Sequence, residues 1–276
     1  MFTETLNKTF FVNTEFKRGI NKTIKTLKRA YSGYTQLQEA KTLGRHFANF
    51  FQPVVADTAH TQKASATIRH EVFCKELNLF DKNEDGIETD FYDSFSTQCL
   101  IQHTNSENFA GTVRLILPKS KDDVLPITKL ASEHITVEKY RPTNFDPTEV
   151  CEISRIAIPE AFRRRNIDKF EGAERGGIDL TTYSEIELRC FPLIAVGLYM
   201  ASAALAAREG RKHAYFMVEP KLAKSMKYIG IQLEQIGTEF EYVGTRAPYY
   251  INYDNFLANL KPSFRFMMNE FTKKIR

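Results

Sequence analysis

The sequence predicts a mixed α/β domain in which helices cover a largely antiparallel sheet. Three observations carry this. Short apolar runs separated by turn residues follow one another between Cys99 and Ile158. One stretch, Leu193 to Glu209, reads as an almost wholly apolar helix that must be buried against a sheet. No alternating strand-helix-strand run and no GxGxxG accompany them, which argues against a doubly wound nucleotide-binding fold. At 276 residues and 42% hydrophobic content, the chain can fill a sizeable core.

In chain order, residues 1–63 carry ten Lys/Arg against four Asp/Glu, so the formal net charge of +4 resides there. Ile20, Ile24 and Leu27 at helical spacing predict one or two amphipathic helices, a basic extension over 1–63 preceding a domain over 64–276. Such an extension suits packing on the domain, or a peripheral membrane contact through residues 1–60. Ala66 to Leu77 reads as a helix that makes Arg69 and Phe73 neighbours. Asn83 to Gly86 is a turn, and the carboxylates of Glu88, Asp90 and Asp93 crowd behind it without the spacing of a calcium loop.

Cys99–His103 and Phe109–Leu117 predict a hairpin with Arg114 inside its second strand, ended by Pro118. Residues 119–148 read as loop with short helices. Cys151 to Pro159 is a central strand holding an acid, a hydroxyl and a base, Glu152, Ser154 and Arg155, among apolar residues. Buried charge must be paired or functional. In a regular strand Glu152 and Ser154 share one face and Arg155 the other, whereas a bulge would bring all three to one cleft. Asn166 to Cys190, polar and glycine-bearing, predicts a loop that orders over a substrate. After the apolar helix come a strand His213–Val218, a helix from Pro220 to Tyr228, short strands Ile231–Glu234 and Phe240–Val243, and a helix Asn255–Phe271 broken near Pro262.

Several function classes lose their usual support. The four cysteines are widely spaced and read as reduced thiols. The six histidines show no HxxxH or HxH pattern, so no metal is expected. No GxSxG elbow or Walker loop is present, and basic residues do not interleave with aromatics as a nucleic-acid surface requires. The longest uncharged apolar run, Phe191 to Ala207, contains Pro192 and is short for a membrane span, and a cytoplasmic location, with the inner membrane as a peripheral contact, is the expectation.

What remains is an ionic constellation of Arg69, Asp90, Asp93, Arg114, Glu152 and Arg155. The order Arg69-x3-Phe73, Glu88-x-Asp90-x2-Asp93, Gly111-x2-Arg114-Leu115 and Glu152-x-Ser154-Arg155 resembles the signature of acyl-homoserine-lactone synthases, within the GNAT acyltransferase superfamily. The fuller strings, Arg69 to Glu76, Glu152 to Arg155, Phe162 to Arg165 and Gly244 to Tyr249, are closer to N-acyl amino acid synthases and the PEP-CTERM/exosortase system-associated acyltransferases. Leu79-Phe80 stand where the lactone synthases have a tryptophan, and Gln98 stands where the amino acid synthases often show histidine.

The resemblance covers about residues 65–250. It implies a GNAT-like fold and transfer of a long acyl chain from an acyl carrier protein thioester to the amine of an amino acid or similar small acceptor. Acyl-CoA is the alternative donor, and no cofactor is bound. Homoserine-lactone synthesis, a CoA-dependent acetyltransferase and a non-catalytic GNAT-like binding module are the rival readings. In the implied site Glu152 is the base that takes a proton from the amine, with Ser154 and Arg155 beside it. Backbone N–H groups around Ile156 and Ala157 hold the oxyanion. Arg69, Phe73, Asp90, Asp93, Arg114, Arg246 and Tyr249 surround the substrate. Arg163, Arg164 and Arg165 meet the acidic carrier.

Overall fold

The computed structural model describes Thr42, residues 44–163, Ser184, Glu187 and residues 190–275. The expected hairpin is its centre. Strand β2 (Ser96–His103) pairs antiparallel with β3 (Phe109–Ile116), and both alternate residues between two buried faces. Before them, β1 (Phe51–Val55) pairs with β2 as an edge strand, and Phe47 and Phe51 are fully buried. Residues 51–55 fall in the stretch read from sequence as a helical extension, so that reading needs correction: Phe51 and Pro53 face inward as strand residues do.

Strand β4 (Val150–Ala157) adds antiparallel to β3, and β5 (His213–Val218) adds parallel to β4. The chain then builds β6 (Glu234–Gln235), β7 (Phe240–Glu241) and β8 (Thr245–Asn252), giving the order β1-β2-β3-β4-β5-β8-β6 with β7 also on β8. The long strand β8 is absent from the sequence reading, and Ile231–Glu234 supplies only the start of β6. Pro248 inside β8 weakens the strand signal, yet strand pairing with β5 runs past it from Asn252 to Ala247.

One face of the sheet is covered by the helix Ile194–Arg208, packed on Cys99, Ile101, Val113 and Leu115. By length and composition the run Phe191–Arg208 is long and apolar enough to cross a membrane, but 78% of it is buried within the domain. The other face carries the helix Ala59–Arg69, which continues as a π-helix over His70–Glu76 and packs Ile68, Val72 and Phe73 against Leu100 and Ala157. Ser65 Oγ and Thr112 Oγ1, 2.7 Å apart, pin this helix to β3. The C-terminal helix is two, Tyr253–Asn259 and Pro262–Lys274, separated at Pro262 as its missing N–H demands.

Two irregularities of β4 shape the site. Strand β5 pairs with β4 only from Val150 to Glu152, then leaves it and stays with β8 as far as Val218. Glu152 therefore stands at the apex of a splay. Three residues on, Thr112 faces Ala157 while Arg114 faces Ser154, so Arg155 and Ile156 together oppose Val113. Arg155 has φ +50°, a left-handed conformation that marks this bulge.

Candidate active site

The splay opens into a cleft whose space, with the open solvent at its mouth included, is about 910 Å³. Glu152, Ser154, Arg155 and Ile156 line one wall, Phe216 to Glu219 with Arg246 the other, and Asp90, Tyr92, Arg114 and Pro126 close it above. The bulge decides the facing question that strand periodicity leaves open. It turns Arg155 to the same side as Ser154 and sends Ile156 into the core under the sheet.

Glu152 is 1% exposed and forms no ion pair with any described residue. Its Oε2 accepts the backbone N–H of Ile127 at 2.8 Å. Burial pushes its carboxyl up to about 8, and the Ile127 N–H, Arg114 and Arg155 offset only part of that. Such a group exchanges a proton near neutral pH.

Around it three guanidiniums and three carboxylates form a closed network. Arg69 donates Nε to Glu88 Oε2 at 2.5 Å and grips Asp93 with Nη1 and Nη2 at 2.6 and 3.0 Å. Arg114 grips Asp90 at 2.5 and 3.0 Å and donates Nε to Ser154 Oγ at 3.1 Å. Arg155 joins both halves, with Nε to Glu88 Oε1 at 3.1 Å and Nη2 to Asp90 Oδ2 at 3.0 Å. Planar forks on carboxylates fix orientation as well as charge.

The backbone reinforces the network. Asp90 caps the 3₁₀ helix Phe91–Phe95 by accepting the Tyr92 N–H, and Asp93 returns the bond to the Asp90 N–H. Although burial opposes its charge, Arg69 and Arg114 hold the Asp93 carboxyl down at about 2. Burial likewise opposes the charge of Arg69, but Asp93 and Glu88 more than compensate and keep it firmly protonated. Burial lowers the Arg155 guanidinium, against the pull of Glu88 and Asp90.

The other expected residues divide. Phe73 is fully buried behind the network, with the Arg155 guanidinium 5.9 Å from its ring and 4.5 Å from that of Phe80, so Phe73 supports Arg155 and is absent from the cleft wall. Phe80 thus supplies an aromatic close to where tryptophan was missed. Ala157 lies opposite Thr112 and packs with Phe73 and Leu100, outside the cleft, which leaves Ile156 alone of that pair on its wall. Tyr249 is also outside it: its ring belongs to the main core and its hydroxyl meets Gln235 Oε1 at 3.3 Å. Arg246 does line the cleft, its Nη groups held by the carbonyls of Thr245 and Val243 at 3.1 and 2.8 Å, with Glu219 Oε1 at 3.7 Å.

The carrier-facing arginines need correction at one position. Arg163 forms an ion pair with Glu76 and its side chain is only 10% exposed, so it braces the segment after β4 and is not a surface cation. Arg164 and Arg165, like residues 166–183 of the loop expected over Asn166 to Cys190, lie outside the described residues.

Glu88, although it stands in the carboxylate cluster and the motif string, was given no role in the site by sequence reasoning, and Tyr92 was not singled out. Glu88 bridges Arg69 and Arg155, and Tyr92 lies on the cleft wall with the Arg114 guanidinium 5.9 Å from its ring. Charge parity was a usable signal for Glu88, since three buried arginines need a third acid beside Asp90 and Asp93. Gln98, at the position discussed for histidine, donates Nε2 to Asp93 Oδ1 at 3.0 Å.

Residues 68–171 match the family model described as an acetyltransferase (GNAT) domain. A comparison with curated proteins gave no match. Among solved structures, the fold is similar to that of TofI, crystallised in a ternary complex with an inhibitor and MTA. The TM-score is 0.53 at 18% identity, over 77% of this chain and 98% of that one. It is similar to BjaI, described as a CoA-dependent acyl-homoserine lactone synthase and solved with SAM and isopentyl-CoA. Here the TM-score is 0.53 at 13% identity, over 80% and 89% of the two chains. FeeM, an N-acyl amino acid synthase from uncultured soil microbes, gives a TM-score of 0.50 at 12% identity, over 76% and 95%. The GNAT-like fold expected from the motif string is the fold found.

Proposed function

We propose that this chain, which carries a GNAT acetyltransferase domain, is an N-acyltransferase that moves a long acyl group from a thioester to the amine of an amino acid or similar small acceptor. The observation that carries the reading is Glu152, a buried carboxyl raised to about 8 at the apex of a cleft between splayed strands. An amine arrives largely protonated at neutral pH, since an α-amino group titrates near pH ~7.7–8.0. A carboxylate of matched affinity takes that proton, directly or through one water, and the freed amine attacks the thioester carbon. The carbonyl oxygen gains the negative charge and backbone N–H groups of the bulge at Ile156 stabilise it; on collapse the C–S bond breaks, the sulfur leaves as thiolate and takes up the second proton lost by the nitrogen. Removing one such donor typically costs roughly 2.7–4 kcal/mol of barrier.

The ion network holds this wall rigid. Its three cations and three anions cancel, so it adds no net charge to the cleft and serves to fix Ser154 and the bulge. The apolar wall of Phe216, Val218, Leu222 and Met226 suits an acyl chain, and a cleft reaching Tyr199 on the far side of the sheet gives it depth. An acyl carrier protein thioester is the proposed donor. FeeM, similar in fold, is an N-acyl amino acid synthase, which favours an amino acid acceptor.

The test is to incubate the protein with a panel of amino acids and with acyl carrier protein or CoA thioesters of one chain length, and to follow N-acyl products by mass spectrometry. Transfer from the carrier protein in preference to CoA, lost in Glu152→Gln, is the expected result. Absence of product from both donors would overturn the reading.

A further inference from the structure

Two phenols line the cleft of Glu152 from different elements, Tyr92 and Tyr242. Tyr92 stands in the 3₁₀ helix Phe91–Phe95, and its ring is held by its neighbours. Phe91 and Phe95 meet it edge-on, with centroids 5.7 and 6.0 Å away, and the Arg114 guanidinium lies 5.9 Å from it. Tyr242 occupies the turn between β7 and β8, on the wall that Arg246 shares. Val243 and Gly244 both have positive φ in this turn, +52° and +89°. A β-branched residue in that region is strained and persists only where its surroundings over-determine it. Here the Tyr242 N–H donates to the Gly244 carbonyl at 3.0 Å, and Arg246 Nη2 donates to that of Val243 at 2.8 Å. Arg246 thus positions Tyr242.

Both side chains are half-buried, and neither hydroxyl has a hydrogen-bond partner among the described residues. Burial pushes the Tyr92 phenol up, and the neighbouring charges of Glu152, Asp90 and Tyr242 add to this against Arg114. Among those charges Glu152 weighs most, so the Tyr92 hydroxyl lies within the field of both Glu152 and Tyr242. A protonated phenol donates, and a carboxylate accepts through two oxygens, so two O–H groups match one carboxylate. One carbon separates carboxylate from amine in an α-amino acid, and a carboxylate at the phenols sets the amine beside Glu152. We propose that Tyr92 and Tyr242 form the acceptor subsite, their hydroxyls donating to the carboxylate of an α-amino acid and holding its amine at Glu152. The proposal rests on the acyl-transfer reading and narrows its acceptor from small amines to those with a carboxylate one carbon away. Hydrogen bonds to an anion are the stronger ones, and a site built to make them rejects the analogue that lacks the charge.

The test measures kcat/KM of the full chain, with acyl carrier protein and CoA thioesters as donors, for a panel of amino acids. Each amino acid is set beside its primary amide and its decarboxylated amine. The acid is expected to exceed both analogues by about tenfold or more. Tyr92→Phe and Tyr242→Phe keep the rings and remove one oxygen each. Each should raise KM for the amino acid by about tenfold or more, shrink the preference for acid over amide, and leave KM for the thioester unchanged. A purely structural role would move the thioester KM and the thermal midpoint as well.

The comparison of acid, amide and amine needs no variant, so it stands even where a substitution unfolds the chain. Equal kcat/KM for the three, or faster turnover of amide or amine than of acid, would overturn the subsite alone. So would phenylalanine variants that keep the wild-type KM for the amino acid. Absence of product from every acceptor with both donors would sink the acyl-transfer reading and the subsite with it.

Discussion

The backbone N–H of Ile127 donates to Glu152 Oε2 at 2.8 Å, and among the described residues this is the one hydrogen bond to a carboxyl buried at the apex of the splay. A single neutral donor leaves the charged form under-solvated, which is why the group titrates near 8. Base catalysis by Glu152 then makes kcat/KM rise with pH through an apparent pKa near 8 and level off above it. Glu152→Gln should lower turnover by about 10²–10⁴-fold, while the circular dichroism spectrum is kept. A wild-type rate in this variant would remove Glu152 from the mechanism.

The same shift has a consequence for stability. A carboxyl whose folded value lies above its unfolded one favours the fold while protonated and loses that contribution as pH rises towards 8. Denaturant midpoints of the wild type should therefore fall across that interval more steeply than those of Glu152→Gln. Parallel slopes would show that Glu152 is not the titrating group.

Asp93 behaves in the opposite sense. Its value near 2 means that its contribution is present above the ordinary carboxylate range and lost as pH falls through about 2. Asp93→Asn leaves Arg69 buried with Glu88 alone, at a cost of about 3 kcal/mol, the low end for breaking a buried pair. Urea unfolding at neutral pH measures it.

Arg155 combines a left-handed backbone with a fork spanning Glu88 and Asp90. Lysine keeps the charge but cannot bridge two carboxylates in a plane. Arg155→Lys is expected to lose about tenfold or more in kcat. Arg155→Gly, which suits the bulge backbone, should lose at least as much, since it removes the bridge entirely. Rescue of activity by glycine would mean that the bulge, and not the guanidinium, matters.

Phe216 lines the apolar wall of the cleft. Phe216→Trp should narrow the cleft and shift the preferred acyl chain to shorter lengths, each methylene denied burial costing roughly fourfold in kcat/KM. A competition assay with mixed chain lengths reads this directly, and an unchanged product distribution would place the chain elsewhere.

Local pattern sufficed for much of this protein. Period-two apolar runs located β2, β3, β4 and β5, the apolar stretch located the helix Ile194–Arg208, and a buried acid beside a base in one strand pointed to Glu152 and Arg155. Arg69, Asp90, Asp93 and Arg114 were legible because charges spaced through apolar segments must find one another. Strand β1, strand β8 and the true positions of Tyr249, Ala157 and Arg163 were not.

Each of these depends on pairing across long separations. Thr112 faces Ala157 while Arg114 faces Ser154, and no pattern within 150–157 announces the extra residue. Strand β5 leaves β4 after Glu152 because β8, more than thirty residues on, continues to hold it. Composition and periodicity fix which residues are buried and charged; the facing of Arg155 and the splay at Glu152 arise only when distant strands compete for the same hydrogen bonds.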